Sequence, residues 1–122
     1  MSEKTAIVTG ASSGIGTQIA KELSSRGYAL VLVGRNEQKL SNVAKMLTTP
    51  STIIAADLST KEGCQAVIDQ TASLPVDVLI NNAGFGLCGD LMDTDESAEL
   101  EMIETNIRAV YLLTKHFVRR FH

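Results

Sequence analysis

Four short runs of apolar, mostly branched side chains recur along the chain. They lie at residues 6–9, 29–33, 52–56 and 76–80. Each run is almost continuously apolar, whereas a strand with one face in water would alternate apolar and polar residues. The pattern therefore predicts four buried, parallel β-strands.

The segments between these runs have the periodicity of helices. Helices are predicted at residues 14–26, 36–47 and 60–73, and from about residue 94 to the end. Gly27 stands where a glycine commonly terminates a helix, and Pro50 and Pro75 fall just ahead of strands. Strand and helix alternating at this spacing favour right-handed crossovers and a doubly wound α/β sheet covered on both faces. No linker or repeat divides the sequence, so residues 1–122 are expected to form a single domain.

The last predicted helix carries a heptad-like stripe. Its members, spaced three and four apart, are Leu100, Ile103, Ile107, Val110, Thr114, Phe117 and Phe121. Such a stripe is typical of burial against the sheet of the same chain. A second row, through Met102, Tyr111 and Val118, lies off the first and favours an additional contact with a partner subunit. We therefore expect a homo-oligomer formed through this helix.

Composition narrows the class of protein. The 122 residues are 44% hydrophobic and 20% charged, with a net charge of -3, as expected of a soluble globular domain. That charge, with no basic cluster longer than two residues, argues against a nucleic-acid partner. No apolar run is long enough to cross a membrane and no signal peptide is recognisable, so we expect a cytoplasmic protein with reduced Cys64 and Cys88. No metal-ligand spacing is present.

The segment TGASSGIG, residues 9–16, directly follows the first predicted strand and opens the first predicted helix. Its glycines, Gly10, Gly14 and Gly16, are spaced GxxxGxG. Such a turn needs glycine because backbone N–H groups and the positive helix end must approach a pyrophosphate with no Cβ in the way. The segment predicts a dinucleotide-binding loop, with a plain turn as the alternative.

The end of the second strand indicates which dinucleotide to expect. A carboxylate roughly 20 residues past the loop would hold the ribose 2′-OH of NAD, but Gly34 and Arg35 stand there instead. A guanidinium can bind the 2′-phosphate of NADP. NADP is therefore the expected cofactor and NAD the less favoured one, while a merely solvated arginine remains the alternative reading.

Four motifs, in this order, resemble those of the short-chain dehydrogenase/reductase family. They are TGASSGIG at 9–16, Asp57-Leu58 after the third strand, Asn81-Asn82-Ala83-Gly84 after the fourth, and Asn106 in the following helix. The resemblance covers the whole chain and implies a Rossmann-type parallel sheet in the order 3-2-1-4. In that order a dinucleotide lies at the carboxyl ends of strands 1 and 4, where the order reverses.

The resemblance also implies roles for individual residues. The loop would line the pyrophosphate and ribose, Asp57 and Leu58 the adenine, and residues 81–84 the adenosine and the nicotinamide ribose. The implied set is Gly10, Ser12, Ser13, Gly14, Ile15, Gly16, Asp57, Leu58, Asn81, Asn82, Ala83 and Gly84, to which Arg35 is added. Asp57 could instead cap the helix near residue 60, and residues 81–84 could be a plain turn. Members that prefer NADP often have a basic residue at position 13, where this chain has serine, so the NADP prediction depends on Arg35.

The catalytic residues are largely missing. Members of the family transfer hydride to carbonyls or from alcohols with a Ser, Tyr, Lys and Asn set, and only Asn106 matches. Tyr111 and Lys115 have the YxxxK spacing but lie in the same predicted helix as Asn106, and the expected serine position is occupied by Ala98. We therefore expect this pair not to be catalytic and the proton donor to lie beyond His122.

Two accounts of the chain remain. In the first, it is the truncated N-terminal half of an NADP-dependent oxidoreductase acting on a small carbonyl or alcohol. In the second, it is a catalytically inactive dinucleotide-binding or dimerisation module. In both, the fourth strand lies at a sheet edge with unpaired backbone groups, so we expect the isolated chain to self-associate.

Overall fold

The computed structural model describes residues 4–83 and 95–121. Strands and helices alternate: β1 Thr5–Thr9, α1 Gly14–Ser25, β2 Ala29–Gly34, α2 Glu37–Ala44, β3 Ser51–Ala55, α3 Lys61–Gln70, β4 Val76–Ile80, α4 Glu96–Ile103 and α5 Val110–Phe121. A π-helical segment, Glu104–Ala109, joins α4 to α5. The four predicted strands are confirmed, and the second and third helices are each shorter than predicted.

The strands form one parallel sheet in the order β3-β2-β1-β4. Ile7 of β1 lies beside Val31 of β2 and Leu79 of β4. From β1 the chain continues to β2 and then β3 on one side, and then crosses to β4 on the other side of β1. The strand order therefore reverses between β1 and β4. The carboxyl ends of β1 and β4 therefore flank the crevice where doubly wound sheets bind ligands, and the predicted order 3-2-1-4 is confirmed.

Side chains alternate between the two faces of the sheet, and both faces are buried. Ile7, Val31 and Ile54 pack beneath α3 and α5 in one cluster. Ala6 and Leu30 pack beneath α1 and α2 in the other. Because both faces exclude water, the strands read as the continuous apolar runs from which they were predicted.

Three helices begin at a polar side chain that accepts a backbone N–H. Ser13 accepts from Gly16, Asn36 from Lys39 and Thr60 from Gly63. Such caps satisfy amides that have no partner within the helix and explain where each helix starts. At the other end of α1, Gly27 has φ +92°, which confirms its predicted role in terminating that helix.

The buried face of the last helix differs from the predicted stripe. The residues that pack into the core are Ala109, Leu113 and Phe117, spaced four apart. Leu100, Ile103 and Ile107 of the predicted stripe are about half exposed or more. The π-helical segment explains the difference, since its i→i+5 hydrogen bonds rotate the helix faces and a seven-residue repeat cannot stay on one side.

Arg120 anchors the end of α5 to the end of α3. Its guanidinium donates hydrogen bonds to the backbone carbonyls of Thr71 (2.9 Å) and Leu74. The same group lies 5.7 Å from the ring centre of Phe117. These contacts satisfy carbonyls at the carboxyl end of α3 with a cation, an arrangement that helix dipoles favour.

Candidate dinucleotide site

A cleft of about 370 Å³ opens at the carboxyl ends of the strands. Four segments line it: the loop after β1, the end of β2 with the start of α2, the segment after β3, and the residue Ala83 after β4. The lining residues are Gly10, Ser12, Ser13, Gly34, Arg35, Asn36, Lys39, Ala56, Asp57, Leu58, Ser59 and Ala83. The cleft thus lies at the crevice that the strand order defines.

The glycine loop is closed by contacts that leave no room for side chains. Gly10 has φ +65°, and a Cβ on it would lie 3.0 Å from Ala83 Cα. A Cβ on Gly16 would lie 2.0 Å from the carbonyl oxygen of Gly10. At Gly14, by contrast, a Cβ would meet no heavy atom within 4 Å. Packing within the fold therefore requires the first and third glycines, while the second leaves the start of α1 open to an approaching group.

Thr9 joins this loop to the segment after β4. Its hydroxyl accepts hydrogen bonds from the backbone N–H groups of Asn82 (3.0 Å) and Ala83 (2.9 Å) and donates to the carbonyl of Ile80 (3.3 Å). The Asn82 side-chain amide donates to the Gly10 carbonyl at 3.2 Å. Buried polar groups need such partners, so Thr9 and Asn82 hold the two walls of the cleft together.

Two cationic side chains line the cleft where β2 passes into α2. Arg35 follows the last residue of β2, and Lys39 lies in the first turn of α2. The positive end of the helix dipole disfavours a cation in a first turn. Lys39 therefore breaks a local preference, which is common at functional sites.

Asp57 orders the turn between β3 and α3. Its Oδ1 accepts from the Ser59 N–H at 3.0 Å and from the Ser59 hydroxyl at 2.6 Å. The bond from the hydroxyl lowers the pKa of Asp57 below its usual range; partial burial opposes this, while the Ser59 N–H and the charge of Arg35 add to the lowering. The residue that caps α3 is Thr60, so Asp57 shapes the preceding turn and is not the N-cap.

The structure brings seven of the predicted site residues together in the cleft: Gly10, Ser12, Ser13, Arg35, Asp57, Leu58 and Ala83. Gly14, Ile15 and Gly16 form the start of α1 beside it. Asn82 supports the cleft wall from outside the lining, and Asn81 donates to the Thr114 hydroxyl of α5 at 2.8 Å. Gly84 lies outside the described residues.

Five residues of the lining are absent from the predicted site: Gly34, Asn36, Lys39, Ala56 and Ser59. Asn36 accepts from the backbone N–H of Lys39 at 3.0 Å and so places the lysine at the helix start. The signal that could have revealed Lys39 is its position, since it is a cation three residues after a capping asparagine.

Asn106 is exposed and lies in the π-helical segment, outside the cleft lining. Such segments occur frequently at functional sites. Further along the same helix, Lys115 Nζ donates to the Tyr111 hydroxyl at 3.1 Å. Both side chains are exposed, and their contact is the ordinary one between residues four apart on a helix.

Within residues 4–83 and 95–121 no three His, Cys, Asp or Glu side chains are grouped to hold a metal ion. In the same ranges no helix combines the length and the apolar character needed to span a membrane. Cys64 is a buried free thiol whose pKa is raised by burial; Cys88 lies outside the described residues.

The parallel sheet in the order β3-β2-β1-β4, with a glycine loop at the reversal of strand order, defines a Rossmann-type protein. The family described as short chain dehydrogenase matches residues 4–122. The chain therefore belongs to the short-chain dehydrogenase family.

Similar sequences are longer than this chain. An uncharacterised oxidoreductase of Staphylococcus epidermidis is 44% identical over 110 residues, which cover 87% of this chain and 47% of that protein. A 3-oxoacyl-[acyl-carrier-protein] reductase of Rickettsia prowazekii is 34% identical over 120 residues, covering 96% of this chain and 48% of that protein. The chain thus spans about half the length of these curated relatives.

Solved structures show the same fold. A metagenomic short-chain oxidoreductase in complex with NADP superposes with a TM-score of 0.84 at 36% identity, covering 94% of this chain and 55% of that one. L-sorbose reductase from Gluconobacter frateurii, complexed with NADPH and L-sorbose, superposes with a TM-score of 0.86 at 30% identity, covering 98% of this chain and 48% of that one.

Proposed function

We propose that this chain forms the dinucleotide-binding part of an NADP-dependent oxidoreductase that transfers hydride between NADP(H) and a small carbonyl or alcohol substrate. The observation that carries the proposal is the pair of cations, Arg35 and Lys39, in a cleft at the carboxyl ends of β1, β2 and β3. A 2′-phosphate distinguishes NADP from NAD, and two cations that line the same cleft suit a group carrying close to two negative charges.

The remaining lining residues fit the rest of a dinucleotide. Gly14 leaves its position at the start of α1 open to solvent, where backbone amides and the helix dipole favour a pyrophosphate. Asp57 and Leu58 would border the adenine, and Asn82 and Ala83 the ribose. NADP(H), when bound, supplies or accepts the hydride.

The similar proteins support the same class. Two of the structures contain NADP or NADPH. A further neighbour, from Comamonas testosteroni, is a bulky-bulky ketone specific alcohol dehydrogenase, with a TM-score of 0.88 at 28% identity, covering 99% of this chain and 50% of that one. The ketone for which the Comamonas enzyme is named and the 3-oxoacyl group for which the Rickettsia reductase is named both contain a carbonyl.

Of the catalytic set that the family resemblance implies, this chain supplies Asn106. Tyr111 and Lys115 follow Asn106 in one continuous helical stretch, roughly one and two turns further along. They therefore cannot lie opposite Asn106 across a substrate. We therefore propose that the 122-residue chain binds the dinucleotide without turning over a substrate.

Equilibrium titration with NADPH and NADH, followed by nucleotide fluorescence, tests the proposal. We expect tighter binding of NADPH and the loss of that preference in Arg35→Gln, with a smaller loss in Lys39→Gln. Arg26→Gln is the matched control, since Arg26 is an exposed arginine that pairs with Glu22 on α1. Equal affinity for both nucleotides in the unaltered chain would refute the NADP assignment, and failure to bind either would refute dinucleotide binding altogether.

A second role, self-association, is favoured by an exposed apolar row on the last helix. Ile107, Tyr111 and Val118 are 64%, 57% and 59% exposed and lie along one side of the helix. Single exposed apolar residues are ordinary, but several that recur along one side of a helix indicate a contact surface. We propose that a second copy of the chain covers it.

Sedimentation of Ile107→Lys tests self-association. We expect this variant to shift the protein toward the monomer. Ile15→Lys is the matched control, because Ile15 is 71% exposed on α1, away from the row. An unchanged sedimentation coefficient for Ile107→Lys would exclude the last helix as the contact, and the outer edge of β4, the last strand of the sheet among the described residues, would then be the surface to alter next.

A further inference from the structure

Arg35 forms an ion pair with a residue far along the chain. Its Nη1 lies 2.8 Å from Oε1 of Glu101, and the two residues are 66 positions apart. Arg35 follows β2, whereas Glu101 belongs to α4. The pair therefore joins the nucleotide cleft to the helix that leads to Asn106.

This contact matters because Arg35 also lines the cleft. An arginine has five N–H donors and can hold two anionic partners at once, but the partners then repel each other. A 2′-phosphate bound to Arg35 would add close to two negative charges beside the Glu101 carboxylate. A 2′-hydroxyl would add none.

We propose that Glu101 is a specificity-determining residue that competes with the 2′-phosphate of NADP for Arg35 and so narrows the preference of the cleft for NADP over NAD. The inference rests on the proposed function, in which Arg35 binds that phosphate. It assigns Glu101 no part in the chemistry of hydride transfer.

The charges around Arg35 single out Glu101. Asp57 also lies near Arg35. Its carboxylate, however, already accepts hydrogen bonds from the N–H and hydroxyl of Ser59, and these bonds order the turn between β3 and α3. Glu101 reaches Arg35 from a different element, with side chains about 60% exposed for Arg35 and 40% for Glu101. A carboxylate that is half in water can turn away when a stronger anion arrives, so its effect is on affinity more than on folding.

The expected change in affinity on removing Glu101 follows from the exposure of the pair. Removing one negative charge close to a bound phosphate at a hydrated surface should tighten binding of a 2′-phosphorylated nucleotide by about 3- to 10-fold. The gain should shrink as ionic strength rises above about 0.15 M, because exposed charges are then screened.

The test is the charge-removing variant Glu101→Gln, titrated calorimetrically with adenosine 2′,5′-bisphosphate and with 5′-AMP. These two probes differ only by the 2′-phosphate. We expect the bisphosphate to bind more tightly to the variant and 5′-AMP to bind equally well. Glu22→Gln is the matched control, since Glu22 forms an exposed pair of similar length with Arg26 on α1 and should change neither affinity.

A double-mutant cycle with Arg35→Gln identifies the partner. If Glu101 acts through Arg35, Glu101→Gln should tighten bisphosphate binding in the unaltered background and have little effect once Arg35 is glutamine. Glu101→Lys should bind the bisphosphate more tightly than Glu101→Gln does. Thermal unfolding of each variant shows that the fold is retained, and the two Glu101 substitutions give independent answers if one of them is impaired.

The outcomes separate this inference from the proposed function. If Arg35→Gln removes the preference for the bisphosphate while both Glu101 variants leave it unchanged, the role of Glu101 is refuted and NADP binding stands. If Glu101→Gln instead weakens the binding of 5′-AMP, Glu101 is a ribose ligand and the competition is refuted. If the unaltered protein binds the two probes equally, the proposed NADP site itself fails.

Discussion

The hydroxyl of Thr9 accepts a hydrogen bond from the backbone N–H of Ala83 at 2.9 Å, so that the last residue of β1 holds the segment after β4 against the nucleotide cleft. Thr9 is 1% exposed. The same oxygen also accepts from the Asn82 N–H. A buried side chain of β1 thus helps to hold two walls of the cleft together.

Replacing Thr9 by valine should destabilise the protein, because valine has the shape of threonine but removes the acceptor of the Ala83 N–H and one of the two acceptors of the Asn82 N–H, which also bonds the Ile80 carbonyl. We expect a loss of about 1–3 kcal/mol in the free energy of unfolding, measured by urea titration, together with weaker nucleotide binding. Thr9→Ser keeps the hydroxyl and should lose less on both counts. A larger loss for serine than for valine would mean that the methyl group, not the hydrogen bonds, supports the site.

Gly16→Ala should damage the loop, since the added Cβ would lie 2.0 Å from the Gly10 carbonyl oxygen. Forcing atoms apart in a packed region destabilises by about 1–3 kcal/mol, and nucleotide binding should fall as well. Gly14→Ala is the control, because its Cβ meets no atom within 4 Å and alanine favours a helix. We expect Gly14→Ala to fold at least as stably as the parent, so that any loss of nucleotide affinity in it reports a direct clash with the ligand.

Asp57→Asn should change how stability depends on pH. The pKa of Asp57 is lowered in the folded state, chiefly by the Ser59 hydroxyl. Its carboxylate therefore stabilises the fold fully above the unfolded pKa of about 4, and this contribution is lost as pH falls through the lower folded pKa. In denaturant titrations the parent should have the larger free energy of unfolding at pH 7, and the values for parent and variant should converge toward pH 2.

Ser59→Ala provides the matching test for Asp57. It removes the strongest cause of the lowered pKa while leaving the Ser59 N–H in place, so it should reproduce part of the pH effect. In the double variant, the effects of the two substitutions should be less than additive. Full additivity would show that the two side chains act separately.

Arg120→Gln should loosen the attachment of α5 to α3. The variant loses hydrogen bonds to the Thr71 and Leu74 carbonyls and the contact with Phe117. We expect a loss of about 1–3 kcal/mol in the free energy of unfolding. The neighbouring Arg119 is exposed, so Arg119→Gln should stay within about 0.5 kcal/mol of the parent. An equally small effect at Arg120 would contradict the anchoring role.

The fold could be predicted because its signals are local. Continuous apolar runs fixed the strands, since both faces of this sheet are buried. Ser13, Asn36 and Thr60 are residue types that favour helix starts, and they cap α1, α2 and α3. The π-helical segment could not be predicted, because a change in backbone hydrogen bonding has no signature in side-chain type, and the predicted apolar stripe was displaced as a result.

The candidate site was predictable where its residues follow strand ends. Gly10, Arg35 and Asp57 each come shortly after a strand, and parallel strands bring their carboxyl ends to one edge. Lys39 was missed because it lies inside a helix, one turn past that edge. The pairing of Arg35 with Glu101 depends on where α4 lies against the sheet, which no local pattern in the sequence encodes.

The π-helical segment Glu104–Ala109 resembles an α-helix that has received one extra residue. Deleting one residue within it would restore regular α-helical winding and leave α4 and α5 in nearly the same relative rotation, because a turn closed by i→i+5 hydrogen bonds takes up one residue more than an α-helical turn. The core contacts of Leu113 and Phe117 would be kept, and Glu101 would still face Arg35. A related protein that is one residue shorter here is therefore expected to have an unbroken α-helix and the same charge beside the nucleotide.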